Sequence, residues 1–117
     1  MTTRATVSRY LDLVRLKADW DSMLADDIVF TSFTSPVRRL SGKVTYLQAT
    51  KRFYSMIVSM DLRDLVVDGN RACALTHYEL EPPAGPRFGS DVAEVFVVAN
   101  DTITSFDIYF DSAPYPK

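Results

Sequence analysis

The stretch SDVAEVFVVANDTITSFDIYFD, residues 90–111, contains two runs of side chains that fit a strand's period of two. The residues ANDT, 99–102, lie between the runs and are of types that form tight turns. Because successive side chains of a β-strand point to opposite faces, this pattern predicts an antiparallel hairpin. Each of its strands offers one face to the interior and one to the exterior.

The second strand of the hairpin indicates which face is interior. Phe106, Ile108 and Phe110 share one side, and Asp107 and Tyr109 share the other. Burying an aspartate is costly, whereas phenylalanine and isoleucine are usual interior residues. We therefore expect the aromatic side to face inward and Asp107 to face away from any pocket.

The rest of the chain supplies helices first and strands afterwards. Apolar spacing predicts a helix over about 3–17, a short helix around Trp20, and a third helix from Ser41-Gly42 to about Val58. Strand patterns occupy DIVFTSF, MDLRDLVVD and RACALTHYELE, besides the hairpin. This order predicts an α+β domain over residues 1–117, with about three helices covering one face of a strongly curved, mostly antiparallel sheet.

Composition excludes several functional classes. The net charge is −2 and the pI is about 5.2, which argues against nucleic-acid binding; we expect Arg38, Arg39 and Lys43 to form a solvated loop and helix start. Cys73 is the single cysteine, so an internal disulfide is impossible, and a reducing cytoplasm is the expected location. No apolar run has the length of a membrane span, so no membrane partner is expected.

The order of elements, with RYLDLV in the first helix, LADDIVF entering the first strand, and VFVVANDTITSFDIYFD at the end, resembles the nuclear-transport-factor-2-like superfamily. That superfamily includes ketosteroid isomerases, polyketide cyclases and limonene-epoxide-hydrolase-like enzymes. The resemblance spans nearly the whole chain and implies a cone-shaped fold with an internal pocket. Because this fold hosts several chemistries, it does not by itself define an activity.

Epoxide hydrolysis of the family's kind is not expected. The resemblance places Ile108 where epoxide hydrolases and cyclases have a working aspartate. On the inner face of RACALTHYELE, Thr76 and Tyr78 stand where epoxide hydrolases carry an arginine and a second acid, and neither can replace them. The same alternation places His77 on the outer face, where a surface or interface role is expected.

Ketosteroid isomerases match better. Their oxyanion hole uses a tyrosine from an Arg-Tyr pair, and the resemblance places Tyr10 there. It also uses a carboxylic acid that an apolar site keeps protonated, and the resemblance places Glu94 at that position. The family's carboxylate base corresponds to Ser32, so the base is missing. We expect Glu94 to be a pocket acid with a raised pKa and Tyr10 to lie within hydrogen-bond reach of it. The alternatives are a core role for Tyr10 and a bulge that exposes Glu94.

The expected ligand is a hydrophobic cyclic or ketone-bearing small molecule, acted on by isomerase- or cyclase-type proton transfer. The alternative is a non-catalytic ligand-binding or protein-interaction domain that keeps the fold without its base. No cofactor is indicated, and no group of His, Cys, Asp and Glu has metal-ligand spacing. The expected ligand-binding residues are Trp20, Phe30, Phe53, Tyr54, Thr76, Tyr78, Phe96, Phe106, Ile108 and Phe110.

The outer face of the sheet predicts a homodimer. An apolar patch of this size is unusual on a soluble monomer, and it predicts contact with a second copy. His77 and Asp107 lie on the same face and are candidates for pairing within or across the interface. The patch comprises Leu75, Val95, Val97, Ile103 and Tyr109.

Overall fold

A computed structural model describes residues 1–34 and 37–115. It contains two α-helices, a single 3₁₀ turn at Trp20–Met23, and six strands. The helices are α1 (Thr3–Arg15) and α2 (Lys43–Met56). The strands are β1 (Leu24–Ser32), β2 (Arg38–Ser41), β3 (Ile57–Asp68), β4 (Arg71–Leu80), β5 (Phe88–Ala99) and β6 (Thr102–Phe110). The α+β class is confirmed, whereas the second of the three expected helices is only the 3₁₀ turn.

The six strands form one sheet in the order β2-β1-β6-β5-β4-β3. β1 and β6 run parallel, and every other neighbouring pair is antiparallel. The β5–β6 hairpin turns at Asn100 and Asp101, both with positive φ, a conformation that Asn and Asp tolerate better than most residues. In the strand order, β5 and β6 are the two central strands, so each of them is paired on both sides. The strong curvature of the sheet stays a prediction.

Strand β2 was not predicted from the sequence. Arg38 and Arg39 belong to this edge strand, so the expected loop at these two residues is wrong. Four residues that are mostly polar and exposed give no alternation of apolar side chains, which is the signal that reveals a strand. Lys43 is the first residue of α2, in agreement with the helix start that the sequence predicts there.

Helix α1 packs on the inner face of the sheet through the apolar stripe that its sequence predicts. Val7, Tyr10, Leu11 and Val14 are buried. Thr2 caps the helix, because its hydroxyl accepts a hydrogen bond from the backbone N–H of Ala5. Within the described residues, neither α1 nor α2 has the length and hydrophobicity of a membrane-spanning helix.

A bulge in the hairpin shows that one residue predicted on the outer face lies inside. The register between β5 and β6 shifts at Val97 and Val98, so strict alternation fails near the turn. Ile103 is consequently buried in the core with Phe106 instead of lying outside. The outer patch therefore comprises Leu75, Val95, Val97 and Tyr109.

Candidate functional site

A cavity of about 640 Å³ lies between helix α2 and the inner face of the sheet. Its volume is in the range of small-molecule sites in proteins. Most of its wall is apolar or aromatic, with a few hydroxyls and two charged side chains. The lining residues are Phe30, Ser32, Thr34, Arg38, Leu40, Tyr46, Ala49, Thr50, Phe53, Tyr54, Tyr78, Val92, Glu94, Phe106, Ile108, Phe110, Ser112 and Tyr115.

Nine of the residues expected from the sequence line this cavity. They are Ser32, Glu94, Phe30, Phe53, Tyr54, Tyr78, Phe106, Ile108 and Phe110. Tyr10, Trp20, Thr76 and Phe96 lie behind the wall instead. Trp20 stacks on Tyr54 with ring centroids 3.8 Å apart, and Phe96 packs edge-to-face on Phe106. These residues hold the wall in place without lining the cavity.

Glu94 is a buried acid in the wall of the cavity, with a side chain only 3% exposed. The hydroxyl of Tyr78 on β4 lies 3.0 Å from each carboxylate oxygen and donates to them. Burial raises the pKa of the Glu94 carboxyl from 4.5 to about 7, although the nearby hydroxyls of Thr76 and Tyr78 lower it. The acid therefore exchanges its proton near neutral pH.

The two hydroxyls beside Glu94 are not equivalent. Tyr78 meets the geometry of a hydrogen bond, whereas Thr76 Oγ1 is buried without a hydrogen-bond partner in the described residues. Thr76 is near enough to influence the pKa of Glu94, but its geometry falls short of a bond, and we assign the hydrogen bond to Tyr78 alone.

Three tyrosine hydroxyls form a separate chain beside the cavity. The Tyr54 oxygen lies 2.6 Å from that of Tyr10 and 2.5 Å from that of Tyr46. The expected hydrogen bond between Tyr10 and Glu94 is absent from the described structure, because the Tyr10 hydroxyl is bonded to Tyr54 instead. The hydroxyl of Tyr10 thus reaches the site through Tyr54.

This chain has one hydrogen more than it uses. Three hydroxyls carry three hydrogens, and the two bonds between them consume two. Burial raises the pKa of Tyr10, Tyr46 and Tyr54, so all three stay protonated at neutral pH. Since Tyr46 and Tyr54 line the cavity, a ligand oxygen there can accept the spare hydrogen from either ring.

Sequence reasoning missed Tyr46, Arg38 and Tyr115. Tyr46 precedes the expected pocket residue Tyr54 by eight residues, a spacing that places both on one face of α2, so the helical period would have included it. Arg38 belongs to the unrecognised strand β2. Tyr115 follows the last strand and reaches Ser90 through a hydroxyl–hydroxyl contact of 2.9 Å, a distant pairing that no local pattern indicates.

Ser32 lines the cavity at the last residue of β1. Among the described residues that line the cavity, Glu94 is the one carboxylate, and none is a histidine. No group of three or more His, Cys, Asp and Glu residues in the described chain is arranged to hold a metal ion. The acid–base chemistry of the lining residues therefore centres on Glu94 and the tyrosines.

Solved structures with the same fold carry several different names. A candidate ketosteroid isomerase from Kribbella flavida DSM 17836 is 19% identical, with 98% of this chain and 82% of that chain covered and a TM-score of 0.75. An LEH-like epoxide hydrolase from M. tuberculosis is 21% identical, with coverage of 96% and 84% and a TM-score of 0.77. A candidate SnoaL-like polyketide cyclase from Jannaschia sp. CCS1 is 12% identical, with coverage of 98% and 93% and a TM-score of 0.79.

Identities this low show a shared fold and not a shared activity. No curated protein matches the chain. The family assignment rests on a sequence match and not on the shared fold. The family model of the SnoaL-like domain matches residues 7–106, which is most of the chain. The protein is a member of the SnoaL-like domain family, within the nuclear-transport-factor-2-like superfamily.

Proposed function

We propose that the protein binds an apolar cyclic ketone or its enol and transfers a proton on it. The observation that carries this proposal is Glu94, the one carboxylate among the described lining residues, with a pKa of about 7. A general base or acid works best when its pKa is near the ambient pH. Among the described residues no activating group forms a hydrogen bond with the side chain of Ser32, which is a poor base, so the proton transfer is assigned to Glu94.

The proposed reaction begins with ionised Glu94 and a ketone whose oxygen faces Tyr46 and Tyr54. Glu94 takes a proton from the carbon next to the carbonyl, the C–H bond breaks, and its electron pair forms the enolate. The spare tyrosine hydrogen is donated to the enolate oxygen, where negative charge develops. Neutral Glu94 then returns the proton to carbon, at the same or a conjugated position.

Hydrogen–deuterium exchange tests the proposal. Tetralone, an apolar bicyclic ketone, is incubated with protein in D₂O, and loss of the signal from the protons beside its carbonyl is followed by NMR. We expect faster exchange with the wild type, and a loss of about 100-fold or more with Glu94→Gln. Tyr54→Phe should slow exchange by at least about tenfold. Glu81→Gln, at an exposed acid, is the matched control.

A wild-type rate equal to that of Glu94→Gln would contradict the proposed chemistry. The second candidate function is then ligand binding without catalysis, and Ser32 in place of the family's base is the observation that favours it. Calorimetry with naphthol, a stable enol analogue, and with its methyl ether measures binding separately from catalysis. A pure binding protein would bind naphthol more tightly than the ether, dependent on Tyr54, and would leave tetralone exchange unaccelerated.

A further inference from the structure

Four residues that line the cavity form one row across the sheet. Arg38 on β2 is paired with Ser32 on β1, and Ser32 is paired with Ile108 on β6. Ile108 is in turn paired with Glu94 on β5. The row crosses four strands, and each of its members contributes to the cavity wall.

The two ends of this row carry opposite charge. Glu94 is buried at one end, and Arg38 is exposed at the other. They are the charged residues among those that line the cavity. Three strand spacings separate them, roughly 14 Å along the sheet. Within the described part of the chain, no acidic side chain forms an ion pair with Arg38.

We infer that the ligand carries a carboxylate at the end remote from its reacting oxygen, and that Arg38 binds this carboxylate. The inference rests on the proposed function, because it takes the reacting oxygen to lie beside Glu94 and the tyrosines. The planar guanidinium of arginine matches a carboxylate through two parallel hydrogen bonds. One cation suits a singly charged group better than a doubly charged phosphate.

The row also fixes the direction in which such a ligand enters. Ionised Glu94 repels an anion, and the aromatic wall around it offers a carboxylate no compensating charge. The apolar ring therefore lies over Ile108 and its neighbours, and the carboxylate stays beside Arg38 and the Ser32 hydroxyl. A ligand with charge at both ends, or at neither, uses only part of this arrangement.

Binding of a hydroxynaphthoate with its hydroxyl and carboxylate at opposite ends, compared with its methyl ester, tests the inference by calorimetry. We expect the wild type to bind the acid about tenfold more tightly than the ester, as for a partly exposed charge-assisted hydrogen bond. Arg38→Gln should abolish this preference, so that the acid and the ester bind with equal affinity. Arg39→Gln is the matched control, since Arg39 is the next residue of β2 and does not line the cavity.

Each outcome decides the matter. Equal binding of acid and ester by the wild type, or an equal loss in Arg39→Gln, overturns the inference and attributes any preference to general electrostatics. If the protein accelerates tetralone exchange in a Glu94-dependent way but binds acid and ester equally, the proposed function stands and the role of Arg38 fails. If naphthol and both naphthoates all fail to bind, the proposed function and the inference fail together.

Discussion

Two acids on strand β5 lie three residues apart and have opposite chemistry. Glu94 is on the inner face and accepts from Tyr78, whereas Asp91 is on the outer face and is bonded to His77. The partners Tyr78 and His77 are consecutive residues of β4. The same two strands thus hold a buried acid–phenol pair on one side and an exposed acid–imidazole pair on the other.

The pKa values of the two acids move in opposite directions. Burial raises the pKa of Glu94 to about 7, whereas the hydrogen bond from His77 lowers the pKa of Asp91. The bonds to Asp91 and Glu79 raise the pKa of His77, so the outer group favours charged partners. His77 and Tyr78 are adjacent in β4 but lie on opposite faces of the sheet. The acid bonded to Tyr78 is therefore buried and tends to be neutral, whereas the acid bonded to His77 is exposed and tends to be charged.

The largest expected effect comes from Glu94→Gln on the pH dependence of stability. Below pH 4.5 Glu94 is protonated in both the folded and the unfolded chain; up to its folded pKa of about 7, only the folded chain keeps the proton. The free energy of unfolding therefore falls across this window as pH rises, by about 3 kcal/mol in total. Denaturant titrations between about pH 4 and about pH 8 should show this fall in the wild type and lose most of it in Glu94→Gln.

His77 contributes with the same sign, and His77→Asn measures its share. The raised pKa of His77 means that its stabilisation is present below pH 6.5 and is lost as pH rises through the folded pKa. His77→Asn should remove only this upper part of the pH dependence. If Glu94→Gln and the wild type have the same pH dependence, Glu94 is not buried as described, and the comparison between the two faces breaks.

The period-two alternation of side chains predicted which residues lie on each face of the sheet. It could not predict features that depend on contacts between residues distant in the sequence. The inward positions of Glu94, Tyr78 and Thr76 could be predicted because a regular strand turns every second side chain to the same face. The bulge that buries Ile103 could not be predicted, because it arises from the pairing of β5 with β6 and has no recognisable pattern in the sequence of either strand.

The pairing of hydroxyls was also beyond the sequence. Tyr10 and Tyr54 are 44 residues apart, and only the tertiary arrangement of α1 and α2 on the sheet decides that Tyr10 bonds to Tyr54 instead of Glu94. The resemblance to ketosteroid isomerases supplied Tyr10 as a candidate, but the geometry that assigns its partner is tertiary. Strand β2 was missed for the simpler reason that a short, exposed and polar strand has no apolar period.

The second prediction separates the two hydroxyls beside Glu94. Tyr78→Phe removes the one hydrogen-bond donor that the described residues provide to the Glu94 carboxyl, and it should destabilise the protein by about 2 kcal/mol where Glu94 is ionised. The loss should be smaller at mildly acidic pH, where Glu94 is neutral, and the pKa of Glu94 should rise above its wild-type value. Chemical denaturation at both pH values and NMR of the Glu94 carboxyl measure these effects.

Thr76→Val is the matched control for Tyr78→Phe. Thr76 Oγ1 is buried without a hydrogen-bond partner in the part of the chain that the structure describes, so its removal should be neutral or slightly stabilising. If Thr76→Val destabilises the protein as much as Tyr78→Phe does, Thr76 is the hydrogen-bond donor and the assignment to Tyr78 alone is wrong.

The third prediction disturbs the outer group through Gly89. A Cβ at this glycine would lie 2.8 Å from Cε1 of His77 and 2.9 Å from Oε2 of Glu79. Both contacts are with side-chain ends that can move, so Gly89→Ala should destabilise the protein by only about 1 kcal/mol. The displaced ring should lose its bond to Glu79, and the pKa of His77 should fall toward 6.5.

His77 is the single histidine of the chain, so its ring proton gives an unambiguous NMR titration. The pKa of Glu94 should stay unchanged in Gly89→Ala, since the two groups lie on opposite faces of the sheet. An unchanged pKa of His77 would mean that Glu79 does not contribute to its environment, and a shift in Glu94 would mean that the faces are coupled.

The smallest change in chain stability is expected at the outer apolar patch, which the sequence predicts to form a homodimer. Leu75 and Tyr109 are 43% and 48% exposed, so a lysine at Leu75 disturbs little within one chain but places a charge in the interface. Light scattering at micromolar concentration should give the mass of a dimer for the wild type and of a monomer for Leu75→Lys. Leu62→Lys, at a leucine 42% exposed on β3 beside α1, should remain dimeric. A monomeric wild type would show that the patch is an ordinary exposed surface, and the contrast between the two faces would then concern their pKa values alone.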